Sequence, residues 1–151
     1  MILHAGKREI PAAAGLAAAL FGGPAEKLAA EFETLMGSPS CAVFLLILEG
    51  HPSGFAQCQL RRDYVEGTES SPVGYLEGIY VCPEFRRQGH ARALLAACEQ
   101  WAGEQGCTEF ASDCELDNEA SLAFHLKMGF AEANRIICFT KRISHTGPLD
   151  E

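Results

Sequence analysis

The order of apolar and polar positions divides the 151 residues into helical and extended segments. Residues 8–36 read as two short helices broken at Gly22-Gly23-Pro24. Alanine and leucine dominate there, and Glu26, Lys27, Glu31 and Glu33 give the second helix a polar side. Cys41 to Leu48 is an unbroken apolar run, which predicts a buried strand over 41–49. His51-Pro52-Ser53-Gly54 reads as a turn, and residues 54–65 as a second strand alternating through Phe55, Gln57, Gln59 and Arg61. A polar loop from Gly67 to Pro72 leads to a third strand over 73–81, closed by Pro83.

The period then changes. Ala91, Leu94, Leu95, Cys98, Trp101 and Ala102 recur at helical spacing, predicting a helix from about Gly89 to Gln105 that ends at Gly106. A strand over 107–113, a helix over 118–128 and a last strand over 130–142 follow. Hairpins first and strand–helix–strand units afterwards imply an α/β fold with a mixed central sheet and helices on its faces. The length suits one domain, expected over 1–143, with a disordered tail over 144–151.

Composition narrows the function. The net charge of −8 disfavours nucleic acid and anionic membrane as partners, because both need a positive surface. No apolar run is long enough to span a bilayer, and the N-terminus lacks the layout of a signal peptide. A cytoplasmic protein is expected. Seven cysteines, an odd number without a CxxC pair, read as small buried apolar residues in a reducing compartment. No metal-ligand spacing is present in the sequence. Acidic residues crowd two base-free stretches, 63–77 and 104–119. They serve either solubility or the attraction of a polycation.

The most informative stretch is Tyr75 to Leu95, where a strand stops at a proline and a basic turn opens a long helix. Such a turn aims backbone N–H groups at one point, and the helix dipole adds positive potential. Arg86 and Arg87 reinforce that potential, and Gly89 admits a close ligand. The turn suits a pyrophosphate, yet it is neither a Walker A loop nor a GxGxxG turn.

Arg86-Arg87-Gln88-Gly89-His90-Ala91 matches the [RQ]xxGx[GA] signature of the GNAT acyltransferases, and Val81-Cys82-Pro83 ends the preceding strand as in that pattern. Asn118-Glu119-Ala120-Ser121, followed by His125 to Gly129-Phe130, resembles the later signature of the superfamily. Over residues 55 to 142 the chain looks like the small dimeric bacterial aminoglycoside 6'-N-acetyltransferases, through DYVEG, the SSPV and LEGIYV segments, and ASD. That group often carries a tryptophan near the end of the first helix, where this chain has Leu20-Phe21.

The resemblance implies a GNAT-like sheet whose strands 75–81 and 107–113 splay apart. It implies acetyl-CoA as co-substrate, without a metal. The backbone of Ile79, Tyr80 and Val81 would line the pantetheine arm, with Ile79 facing the thioester oxygen. Arg86, Arg87, Gln88, Gly89, His90 and Ala91 would hold the pyrophosphate. Asn118, Ser121 and His125 fall where the superfamily touches the coenzyme arm, although Asn118 could equally cap its helix. Glu77 and Asp113 would bind the acceptor amine and take its proton, with Tyr64 and Glu66 nearby on the acceptor side. Many members carry a tyrosine on the last strand to protonate the leaving thiolate. Here the matching positions are Cys138 and Phe139, and no tyrosine follows Tyr80.

The implied activity is direct transfer, in a ternary complex, to the 6'-amino group of aminoglycosides, hence antibiotic resistance, by a homodimer. A polyamine or protein N-terminal acetyltransferase is the alternative enzyme. A CoA-binding module without turnover is the alternative of another class.

Overall fold

The computed structural model describes residues 1–144, so the tail expected over 144–151 lies, beyond Ser144, outside the described residues. Among the described residues five strands form one sheet in the order β1 (Ile2–His4), β2 (Cys41–Leu48), β3 (His51–Arg61), β4 (Val73–Val81), β5 (Phe110–Ala111). The first four are antiparallel neighbours, and β5 joins β4 in parallel. The mixed α/β sheet expected from the alternation of periods is therefore present.

Two layers of helix cover the sheet because β2 is apolar on both faces. Val43 and Leu45 point to one side, where they pack with Phe55 and with Ala13, Ala14, Leu16 and Ala17 of α1 (Ile10–Phe21) and Phe32 of α2 (Ala25–Met36). The small side chains of α1 let its backbone lie close to the sheet. Ala42, Phe44 and Leu46 point to the other side, against Leu94, Leu95, Cys98, Trp101 and Ala102 of α3 (His90–Glu104). These α3 positions are the apolar stripe that the helical period predicts.

Several boundaries differ from the sequence expectation, each for a local reason. The first hairpin turns at Glu49-Gly50, both at positive φ, rather than at residues 51–54. A two-residue turn of that handedness matches strand twist, so β3 begins directly at His51. The added strand β1 pairs with β2 through Ile2 to His4. The strand expected over 107–113 contracts to Phe110–Ala111.

The strand expected over 130–142 does not form. Residues 131–144 have no regular structure, and Ile136, Ile137, Phe139 and Ile143 are 68%, 80%, 87% and 81% exposed. Backbone alternation cannot make a strand without a hydrogen-bonding neighbour, and the paired part of β5 is only two residues long.

Candidate active site

The site begins with a divergence. β5 pairs with β4 only through Gly74↔Phe110 and Tyr75↔Ala111. β4 runs on to Val81, and on that side it meets no further strand among the described residues. A bulge coincides with the split. Cys58 pairs with Leu76 and Gln57 with Gly78, which leaves Glu77 as the extra residue. A bulge of this kind bends its strand and re-aims a side chain. The stretch Leu76–Val81 thus offers strand-edge backbone to an extended ligand. Ile79, Tyr80 and Val81, the expected liners, all lie on it.

Beyond Val81 the chain makes a 3-10 turn, Pro83–Phe85, and enters α3 through residues 86–89. Arg86 Nε donates to the Val81 carbonyl at 2.8 Å, and its guanidinium sits 5.4 Å from the Tyr80 ring centroid. Arg86 is thereby fixed to the end of β4. Arg87 and Gly89 take positive φ, 63° and 85°. A Cβ on Gly89 would meet nothing within 4 Å, so its restriction is conformational and its outer side is open. The first N–H groups of a helix lack intrahelical acceptors. With His90 and Ala91 opening α3 and Gln88 exposed beside them, the donors fit a pyrophosphate.

Glu77 and Asp113 are joined through two residues that the sequence did not single out. Arg61 Nη2 donates to Glu77 Oε1 at 2.9 Å, and its guanidinium lies 3.4 Å from the centroid of the Tyr75 ring. The Tyr75 hydroxyl donates to Asp113 Oδ2. The row Glu77–Arg61–Tyr75–Asp113 spans the mouth of the split on the α1–α2 face of the sheet. A part-exposed pair such as Arg61–Glu77 stabilises by about 1 kcal/mol at most, so its main effect is to aim the carboxylate. Burial first, and the Asp113 bond second, push the Tyr75 hydroxyl well above the ordinary phenol range. Arg61 ends β3 and Tyr75 pairs with Ala111, two residues before Asp113, so both contacts are legible only with the register known.

Leu20 and Phe21 cover the next stretch of β4. A Cβ placed on Gly78 would lie 2.7 Å from Phe21 Cζ and 3.4 Å from Leu20 Cδ2. The end of α1 therefore covers that stretch of β4 with aliphatic and phenyl groups. Glu66 accepts a bond from Asn134 Nδ2 at 3.0 Å, and Tyr64 is exposed. The structure links neither of them to Glu77 or Asp113 by a hydrogen bond, so the four expected acceptor residues divide into a connected pair and two outlying positions.

The opposite face carries the later motif. Asn118 does cap α4 (Glu119–Lys127), accepting from the Ser121 N–H at 3.1 Å. His125 Nδ1 lies 2.7 Å from the Ser121 carbonyl oxygen and 3.3 Å from Ser121 Oγ. Its Nε2 lies 2.7 Å from Ser112 Oγ. α4 ends in a Schellman motif, with Gly129 at φ 96°, the Phe130 N–H donating to the His125 carbonyl and the Gly129 N–H to that of Leu126. The reversal lays Phe130 against the His125 ring at 5.1 Å. The Gly-Phe pair thus has a physical task, holding the imidazole.

The split sheet and the basic turn that opens α3 are the arrangement that the sequence resemblance implies. The sequence profile of the acetyltransferase (GNAT) family matches residues 16–130, and the chain belongs to that family. Its curated relatives are more particular. It is 40% identical over 121 residues to the aminoglycoside N(6')-acetyltransferase type 1 of Salmonella typhimurium, covering 80% of this chain and 83% of that one. It is 43% identical over 122 residues to the enzyme of that name from Serratia marcescens, covering 80% and 84%. Among solved structures, AAC(6')-Iy in complex with the bisubstrate analog CoA-S-monomethyl-acetylneamine superposes with TM-score 0.90 at 38% identity, over 95% of this chain and 98% of that one. Apo AAC(6')-IG from Acinetobacter haemolyticus gives 0.91 at 35%, over 95% and 99%.

The raised Tyr75 phenol makes stability depend on alkaline pH. Its proton is held more tightly in the folded than in the unfolded chain. The contribution is therefore complete below the unfolded value, about 10, and is lost as pH rises above it. Tyr75→Phe removes this titration. In urea denaturation from about pH 8 to about 11, the wild type should lose midpoint more steeply than the variant. Parallel slopes would show that Tyr75 does not ionise differently on folding.

Proposed function

We propose that this acetyltransferase acetylates the 6'-amino group of aminoglycosides, by direct transfer from acetyl-CoA in a ternary complex. The observation that carries the reading is the aimed carboxylate pair, Glu77 and Asp113, on the acceptor face of the split beside a turn that fits a pyrophosphate. A polyamine antibiotic brings several ammonium groups, and a partly desolvated cleft needs carboxylates to receive them. The relatives' names support the same acceptor.

Each group of residues has a role in this reading. The backbone of Ile79, Tyr80 and Val81 lines the pantetheine arm, and the N–H of Ile79 serves the thioester oxygen. Arg86, Arg87, Gln88, Gly89, His90 and Ala91 hold the pyrophosphate. Asn118, Ser121 and His125 face the arm from α4. When bound, the coenzyme supplies the acetyl group as a thioester. Glu77 and Asp113 orient the amine and one of them takes its proton, directly or through water. Tyr64 and Glu66 extend the acceptor side. Arg61 already neutralises Glu77, so an incoming ammonium competes with an internal cation rather than meeting a bare charge.

The active form in this reading is a homodimer. The apolar side chains of segment 131–143 support it, because Ile136, Ile137, Phe139 and Ile143 are exposed in the single chain and a second copy can bury them.

Three expected outcomes follow from these assignments. Gly89→Val should abolish acetyl-CoA binding with little change of fold, because a β-branched residue resists φ 85° and projects into the open space. Undiminished affinity by calorimetry would remove the pyrophosphate from this turn. Glu77→Gln and Asp113→Asn should each lower kcat/KM for kanamycin roughly ten- to a hundredfold with unchanged coenzyme affinity, and the proton acceptor should lose about a further 100-fold in kcat. Near-normal steady-state kinetics in both would move the acceptor site elsewhere. Light scattering at micromolar concentration should give twice the chain mass, and a monomer rejects the dimer.

A further inference from the structure

The chain has no tyrosine after Tyr80 to protonate a leaving thiolate, the role that the resemblance gives to a last-strand tyrosine. Strand alternation sorts the polar groups at the split onto two faces. Ala111 packs with Val65, Val73 and Tyr75 on the α1–α2 face, and Asp113 bonds Tyr75 on the same face. Phe110 points to the α3 face, and so does Ser112, whose hydroxyl reaches His125 of α4. Ser112 and Asp113 are adjacent in sequence and face opposite sides of the sheet, where β5 leaves β4. A carboxylate and a hydroxyl thus stand on opposite faces of the split.

We propose that Ser112 is the catalytic proton donor to the leaving thiolate, with His125 as the positioning residue that recharges it. The inference rests on the acetyl-transfer reading but not on the identity of the acceptor. The Ser121 carbonyl can only accept, so His125 Nδ1 carries a hydrogen and Nε2 is the atom that exchanges a proton with Ser112. Phe124 and Phe130, at 5.5 and 5.1 Å, hold the ring edge-on in that orientation. As the carbon–sulfur bond breaks, its electron pair stays on sulfur. Sulfur takes the Ser112 hydroxyl proton, and Ser112 takes the Nε2 proton of the imidazolium. Neutral imidazole remains and regains its proton from solvent. The amine proton goes to the carboxylate face, so charge balances across the two sides.

One test needs no acceptor. The ultraviolet absorbance of the thiolate in bound CoA reports the ionisation of that thiol. Ser112 donating to sulfur should hold the bound thiol roughly one to two pH units lower in the wild type than in Ser112→Ala, with Ser112→Thr close to wild type. Kinetics supply the second readout. Ser112→Ala should lower kcat about 100-fold with little change in KM for acetyl-CoA, His125→Gln should lower it by less, and Ser112→Thr should restore most of it. An unchanged thiol titration together with kcat within about threefold in Ser112→Ala would overturn the relay. Failure of the aminoglycoside assignment would appear separately, as wild-type enzyme that releases no thiol with kanamycin.

Discussion

The parting of β4 from β5 after Tyr75 is the constraint on which the rest of the site depends. Two paired residues hold the strands together, and one bulged residue, Glu77, bends β4 away. Everything that the acetyltransferase needs is measured from that point. The unpaired edge of β4 lies ahead of it, the basic turn at its far end, the carboxylates on one face and the Ser112–His125 pair on the other. The packing on both faces of β2 keeps the sheet rigid, so the split is a property of the scaffold rather than of a loop.

Polar groups at the split are organised before any ligand arrives. Glu77 has Arg61, Asp113 has Tyr75, and Arg61 also stacks on Tyr75. Without a partner each carboxylate would be free to rotate. Their internal partners fix the oxygens in space. Under the proposed reading the acceptor must offer enough positive charge to displace or share Arg61. A polycation meets that demand better than a simple amine.

The C-terminal arm shows the limit of a single chain. Its apolar run Ile136 to Phe139 is suited to a strand, but among the described residues no strand pairs with it. Near the start of the arm Asn134 bonds to Glu66, and Arg135 pairs with Glu132. Ile136, Ile137, Phe139 and Ile143 stay exposed in the single chain.

Local pattern determined a great deal of this protein. The apolar run of β2, the helical stripe of α3, the Asn118 cap and the basic glycine turn all follow from short-range periodicity and backbone preference, which are encoded within a dozen residues. The motif residues from Arg86 to Ala91 and from Asn118 to Phe130 were legible for the same reason, because each motif occupies a single turn or helix. What the sequence could not supply was register. The bulge at Glu77, the shortness of β5, and the meetings of Arg61 with Glu77, Tyr75 with Asp113 and Ser112 with His125 join residues 13 to 38 positions apart. Such pairs have no sequence period, and a one-residue slip would turn every side chain to the other face. Only the packed sheet decides that Asp113 and Ser112 point opposite ways.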